Sequence, residues 1–256
     1  MTGSNGELIN NLRMAFSRKE SCLLTLEGTT SELNLKLSRN FEMKESIDYE
    51  VALIRFEAFN TLFNITDVNN LFYYNNGKED RIITFSPGAY EVKDINSELQ
   101  RQIIILGDSN TAINISGSTS LVKGIITITG SYTVDFTKPS TFRALLGFEP
   151  VILKAGYNIS TNIIKIAPIN TIYISANICE GSYNNSNQNQ AIYSLGAYSV
   201  PVGYKIVKEP APPIYLPVSK STKSLDKCTV KITDENTNLI NFNSENITVV
   251  LHIRSV

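Results

Sequence analysis

The sequence predicts an all-β fold, a β-sandwich of two antiparallel sheets carrying one or two short inserted helices. Three observations point there. Near the end of the chain Ile247, Val249, Leu251 and Ile253 share one face of a run, with Thr248, Val250, His252 and Arg254 opposite. Just before it, Cys228, Val230 and Ile232 alternate with Lys227, Thr229 and Lys231. Strict period-two alternation makes strands with one buried and one wetter face. Third, β-rich runs recur at roughly ten-residue spacing with turn chemistry between them, the rhythm of a sandwich rather than of a βαβ fold. A final strand with a complete apolar row must pair with elements made much earlier in the chain.

Taken in order, residues 1–20 are polar with scattered apolar positions and read as an arm or a short helix, ahead of one domain over 21–256. Ser21 to Glu27 reads as a first strand, and Leu33, Leu35 and Leu37 mark a second. Asp48 to Phe59 is the densest strand signal; apolar residues on both of its faces suit a strand covered on both sides or one carrying a bulge. Leu71 to Tyr74 and Ile82 to Phe85 flank Asn75-Asn76-Gly77-Lys78-Glu79-Asp80-Arg81, a hairpin signature. A helix capped by Asp94 follows, with Ile95, Leu99 and Ile103 on its buried face.

Short strands are expected at Ala112 to Ile115, Gly124 to Thr129 and Tyr132 to Phe136. A helical turn over Thr141 to Leu146 is expected to start from Ser140 and stop at Gly147, with Phe142, Leu145 and Leu146 pinning it to the sandwich. Strands resume at Ile163 to Ile166 and Thr171 to Ile178. Gly181 to Gln190 reads as an exposed low-complexity polar loop, and Ala191 to Leu195 as the strand after it. The total is about ten strands, with no internal repeat.

The composition excludes several function classes. The formal charge is −1 and the basic residues are scattered, which is not the footprint of a nucleic-acid binder, so no direct nucleic-acid binding is expected. No run approaches the roughly 18 apolar residues of a membrane span. The polar Thr2 to Asn11 stretch lacks a signal-peptide core, so secretion by that route is not expected. Cys22, Cys179 and Cys228 are odd in number and far apart, and read as reduced core residues. One histidine, His252, leaves no His-rich metal site and no plausible Ser-His-Asp triad. No glycine-rich loop precedes Lys-Ser/Thr. No catalytic residue, cofactor or metal is therefore expected.

The remaining features each have a plain reading. The sequons at Asn64, Asn114, Asn158, Asn184 and Asn246 read as ordinary asparagines of an Asn-rich chain, and Pro210-Ala211-Pro212-Pro213 as a stiff connector between strands. The candidate contact loop is Ser182, Tyr183, Asn184, Asn185, Asn187 and Gln188, where Tyr183 stands as an aromatic platform among amides.

The order of several motifs carries a resemblance. Tyr49-Glu50-Val51-Ala52-Leu53 is followed by Asn64-Ile65, then by Pro87-Gly88-Ala89-Tyr90 leading to Ile95-Asn96. Phe142-Arg143-Ala144-Leu145-Leu146-Gly147-Phe148 and Ile172-Tyr173-Ile174-Ser175 come next, and Asn241-Phe242-Asn243 precedes Ile247 to Ile253. Over residues 48 to 254 this resembles the single-jelly-roll penton (minor capsid) proteins of Polinton/Maverick elements and adintovirus-like viruses. The resemblance implies an eight-stranded jelly roll of two four-stranded sheets, with further strands and helices as insertions. It implies a virion protein, five copies around an icosahedral vertex, beside a larger double-jelly-roll major capsid protein. The arm at Met1 to Glu20 is then expected to contact the shell or its interior. The rival reading is a receptor- or glycan-binding β-sandwich, an attachment head or a domesticated host protein, with the 181–190 loop as its contact.

Overall fold

The computed structural model describes residues 20–167, 169–184 and 187–256. The expected arm therefore lies outside the described residues except for Glu20. Along the chain come β1 (Ser21–Gly28), β2 (Glu32–Glu42) and β3 (Tyr49–Phe59). There follow β4 (Leu71–Asn75), β5 (Asp80–Thr84), helix α1 (Val92–Ile105), β6 (Ile113–Ser118), β7 (Lys123–Ile128) and β8 (Thr133–Asp135). A 3-10 turn (Phe142–Ala144), β9 (Ile152–Leu153) and β10 (Gly156–Ile163) come next. The last stretch holds β11 (Thr171–Ala176), β12 (Ser182–Asn184), β13 (Asn187–Asn189), β14 (Ala191–Gly196), β15 (Lys205–Lys208), β16 (Leu216–Pro217), β17 (Ser224–Thr233) and β18 (Ile247–Ser255). Two compact units divide the described residues: those up to Asn60 with Thr171–Val256, and Thr61–Asn170, inserted between them in sequence.

The first unit is the jelly roll. One sheet runs β1-β18-β3-β15, with β16 also on β3; the other runs β14-β11-β17-β2. Counting β15 and β16 as one interrupted strand, this is eight strands in two sheets of four. Except for β11 to β14, each link between successive framework strands crosses from one sheet to the other, the winding that defines the fold. The closing strand does what its apolar row demands: β18 lies between β1 (Ser21↔Arg254 to Gly28↔Ile247) and β3 (Thr248↔Glu57 to Ser255↔Tyr49). Ile247, Val249, Leu251 and Ile253 are buried, as are Cys228, Val230 and Ile232 on the facing sheet.

β3 carries the bulge its two-faced pattern suggests. Val250 pairs with Arg55 but Leu251 pairs with Leu53, so one residue of β3 is extra. The inward set changes phase there, from Tyr49, Val51 and Leu53 to Phe56 and Ala58. The slip lets an 11-residue strand stay inward-apolar on both sides of the bulge, while Ala52 is small enough to be buried on the other face.

The inserted unit has its own core. Its sheets run β5-β4-β8-β9 and β10-β7-β6. Helix α1 buries Ile95, Leu99 and Ile103, the predicted stripe. Its N-cap is Glu91 rather than Asp94, which sits at the third helical position and accepts the Glu91 N–H (3.1 Å). The cap is thus set three residues earlier, because a carboxylate one turn in reaches back to the open amide. The second expected helix is a single 3-10 turn starting after Thr141, not Ser140, which has φ 58°. Phe142 stacks on Phe72 (5.7 Å between centroids) and meets Phe85 edge-on (4.9 Å), so the turn is pinned to this unit's own core. Gly147 stops it at φ 80°, where a Cβ would stand 2.3 Å from the Asn162 carbonyl oxygen.

The strand expected at Ile163 to Ile166 instead ends at Ile163, as β10 (Gly156–Ile163). Its pattern is inverted: Tyr157, Ile159 and Ile163 are exposed, whereas Ser160 is buried. The Ser160 hydroxyl accepts the Gly124 N–H (3.0 Å) and donates to the Asn162 carbonyl (2.7 Å), and Asn158 Nδ2 donates to the Ile126 carbonyl (3.2 Å). A strand whose inward residues satisfy backbone groups does not announce itself by hydrophobic alternation.

Candidate contact surface

The stretch expected as a loop at Gly181 to Gln190 is largely a hairpin. Ser182 pairs with Asn189, Tyr183 with Gln188 and Asn184 with Asn187. Asn185 lies outside the described residues, and for Asn184, Asn187 and Gln188 only the strand pairing is described. Polar composition hides such a strand because backbone pairing needs no apolar face when the element is solvated on both sides. The hairpin springs from a fixed base: Cys179 bridges Val218, the Glu180 N–H donates to the Pro217 carbonyl (2.9 Å), and Gly181 takes φ 84° beside Pro217. The Cys179 thiol there is pushed up to about 11 by burial and by Glu180.

From this base Ser182 and Tyr183 lean over one edge of the jelly roll, where β14 ends one sheet and β15 with β16 ends the other. They line a cleft of about 510 Å³ with Tyr173 of β11, Tyr193 of β14, and Ile214 and Leu216. Tyr183 is 69% exposed, an aromatic ring left in water. Outer-face alternation explains the other two rings: Ile172 and Ile174 turn inward, so Tyr173 turns out, and Ile192 turns inward, so Tyr193 turns out. Those two tyrosines are the residues that a reading restricted to the hairpin misses; the alternation within each strand was the available signal, but their convergence with Tyr183 is tertiary.

Ile214 and Leu216 arrive by way of the proline segment. β15 pairs Lys208 with Phe56, and pairing resumes only at Leu216 with Val51. Between them Glu209 to Tyr215 leaves the sheet, and Pro210, Pro212 and Pro213 have no N–H to give it. The segment is a connector between two strand pieces on the same partner. It places Tyr215 over the outer face of the β18 and β3 pair. There the Arg254 guanidinium lies 3.5 Å from the Tyr215 ring centre and bonds Glu50 (3.1 Å).

A second cluster marks where the chain enters the jelly roll. The Tyr49 hydroxyl donates to the Glu20 carboxylate (2.6 Å), which also pairs with Lys44, and the Ser255 N–H donates to the Glu20 carbonyl (2.8 Å). The Lys44 and Tyr49 hydrogen bonds hold the Glu20 carboxyl below the usual carboxylate range. Among the described residues no group of three or more His, Cys, Asp or Glu side chains is placed to share a metal ion, and no helix is long and apolar enough to cross a membrane.

No protein-family model matches the chain, and no curated protein matches it in sequence. Among solved structures it is similar to the mavirus penton protein, at 13% identity and a TM-score of 0.49 over 93% of this chain and 100% of that one. It is also similar to a chain of the Sputnik virophage structure, at 10% identity and a TM-score of 0.41 over 93% of this chain and 98% of that one.

Proposed function

We propose that this chain is a structural capsid protein of the penton, or minor capsid, kind: a non-enzymatic virion component that self-associates as a pentamer at an icosahedral vertex. A larger double-jelly-roll major capsid protein is its partner in the shell. A jelly roll alone serves capsids, lectins and cupins alike, so the fold does not choose between them. The observation that carries the reading is the position of the ordered motifs on the framework. Tyr49 to Leu53 opens β3, Ile172 to Ser175 lies in β11 and Ile247 to Ile253 forms β18, three central strands of the jelly roll. Asn64-Ile65, the Pro87 to Tyr90 turn, Ile95-Asn96 and Phe142 to Phe148 organise the inserted unit: Asn64 Oδ1 accepts the Tyr90 N–H (2.9 Å), and Ile95 and Phe142 lie in the core. The ordered motifs thus fall on framework positions of both units, which supports the reading.

Assembly then needs no site chemistry. A heterologous pair of side surfaces, repeated by a fivefold rotation, closes a ring, and a stable contact of this kind buries on the order of 1,200–2,000 Å². The test is mass in solution by light scattering coupled to size exclusion, alone and after co-expression with the major capsid protein of the same genome. A species near five times the 28.4 kDa chain is expected. A monomer under both conditions, absent from any shell the partner forms, would sink the reading.

A further inference from the structure

The cleft at the β14 edge gathers aromatic rings and neutral polar groups in one place. Three tyrosines reach it from three different elements, Tyr173, Tyr183 and Tyr193, and none is needed to cover the inner core. Ser182, Asn189 and Ser194 supply hydroxyl and amide groups among them. Asn189 Oδ1 accepts the Ala191 N–H (3.0 Å), which fixes the orientation of that amide. No charged side chain is among the described lining residues. Lys208 Nζ stands 5.9 Å from the centre of the Tyr193 ring. The volume, about 510 Å³, is that of a small-ligand site rather than of a helix-sized groove.

Aromatic faces interleaved with neutral donors and acceptors match a ligand that alternates the same two surfaces. A pyranose does so: its axial C–H groups form an apolar face that lies on the negative face of a phenol ring, while its hydroxyls both donate and accept. The lining residues carry no charge of their own, and the Lys208 ammonium beside them lies over the Tyr193 ring. An extended proline-rich peptide also uses aromatic grooves, but its backbone offers acceptors almost alone, and it leaves the hydroxyl and amide acceptors of this lining unmatched.

We propose that this cleft binds a neutral saccharide, with Tyr183 as the stacking platform. Binding is weak and single-site, and several copies in one assembly raise it by avidity.

The experiment is a titration of the full chain with lactose, mannotriose and triacetylchitotriose, followed by backbone amide shifts of Tyr183, Tyr193 and their neighbours, with sialyllactose and a proline-rich peptide as competitors. At least one neutral sugar is expected to shift these residues saturably. Tyr183→Ala weakens binding roughly 3- to 10-fold, the scale of one aromatic contact, whereas Tyr183→Phe keeps it. Tyr183 is exposed on a hairpin, so neither change threatens folding, and an unchanged amide spectrum elsewhere verifies that. No shift with any of the three sugars overturns the proposal. So does binding indifferent to Tyr183→Ala, tighter binding of sialyllactose than of lactose, or binding of the peptide alone. Oligomer mass is measured separately, so failure here leaves the assembly reading standing.

Discussion

The hydroxyl of Tyr215 stands 2.8 Å from Nδ1 of His252, the single histidine of the chain. The two rings meet edge-on at 5.9 Å, and Arg254 closes the other side of Tyr215 at 3.5 Å. This clasp holds the proline segment against the outer face of β18. Tyr215→Phe keeps the ring and removes the hydrogen bond, and is expected to cost about 0.5–1.5 kcal/mol. Tyr215→Ala also removes the surface on which Arg254 rests, for about 0.5–1 kcal/mol more at this half-exposed position. Urea unfolding of the two variants separates the contributions.

Two leucines test the face assignment of the strands. Leu251 is fully buried in β18, whereas Leu23 on the β1 edge is 65% exposed. Leu251→Ala is expected to destabilise by about 2–5 kcal/mol, through lost transfer energy and the cavity left behind. Leu23→Ala should change stability by no more than about 0.5 kcal/mol. Equal effects in denaturant melts would contradict the register of β1 on β18.

Ser160 tests the inverted strand β10. Its hydroxyl, on a residue only 2% exposed, satisfies the Gly124 N–H and the Asn162 carbonyl together. Ser160→Ala strands the Gly124 amide in the interior, an expected loss of about 1–3 kcal/mol. Faster amide exchange at Gly124 is the local readout, and Ser160→Thr should not restore full stability because the extra methyl must be packed.

Asp108 supplies a pH dependence. Burial pushes its carboxyl up, but hydrogen bonds from Tyr74 (2.7 Å) and Asn76 (2.9 Å), with Arg81 nearby, outweigh that and hold it below the ordinary 3.8. A depressed folded value means that the contribution is complete above pH 3.8 and is lost as pH falls through the folded value. Asp108→Asn should therefore be less stable than the parent at neutral pH, with a shallower loss below pH 3.8. Thermal melts across pH 2 to 7 check both limbs.

Burial pushes the Cys228 thiol up to about 12 and, with Glu180, the Cys179 thiol to about 11; Cys22 is raised as well, by burial, but is half-exposed. Thiolate, not thiol, attacks alkylating reagents. Iodoacetamide at pH 8 should modify Cys22 first, and Cys179 and Cys228 only after unfolding. Peptide mass mapping of native and denatured samples decides this.

Much of the framework was legible because it depends on neighbours two or four residues away. The row Ile247, Val249, Leu251, Ile253 declared its inward face, and so did Ile95, Leu99 and Ile103 on the helix. The double-faced pattern of Asp48 to Phe59 left a bulge as one of two readings, and the pairing on β18 chose it. β10 and the β12–β13 hairpin were illegible for a shared reason: their inward or paired groups are polar, so hydrogen bonds rather than an apolar face hold them, to distant partners in β10 and across the hairpin itself in β12–β13. Of the candidate contact residues, Ser182 and Tyr183 could be placed on a surface, but Tyr173 and Tyr193 join them only through the sheet edge.

The sequence by itself determined which residues of each strand face inward, because side chains alternate with a period set by local backbone geometry. The tertiary structure alone decided the partners of β18: Ser21 meets Arg254 and Leu53 meets Leu251 across nearly the whole chain. It alone separated Thr61–Asn170 as a unit with its own core, and it alone brought three tyrosines to one cleft. Alternation specifies a face and not a neighbour; the neighbour is chosen by which closure of the chain buries all the faces at once.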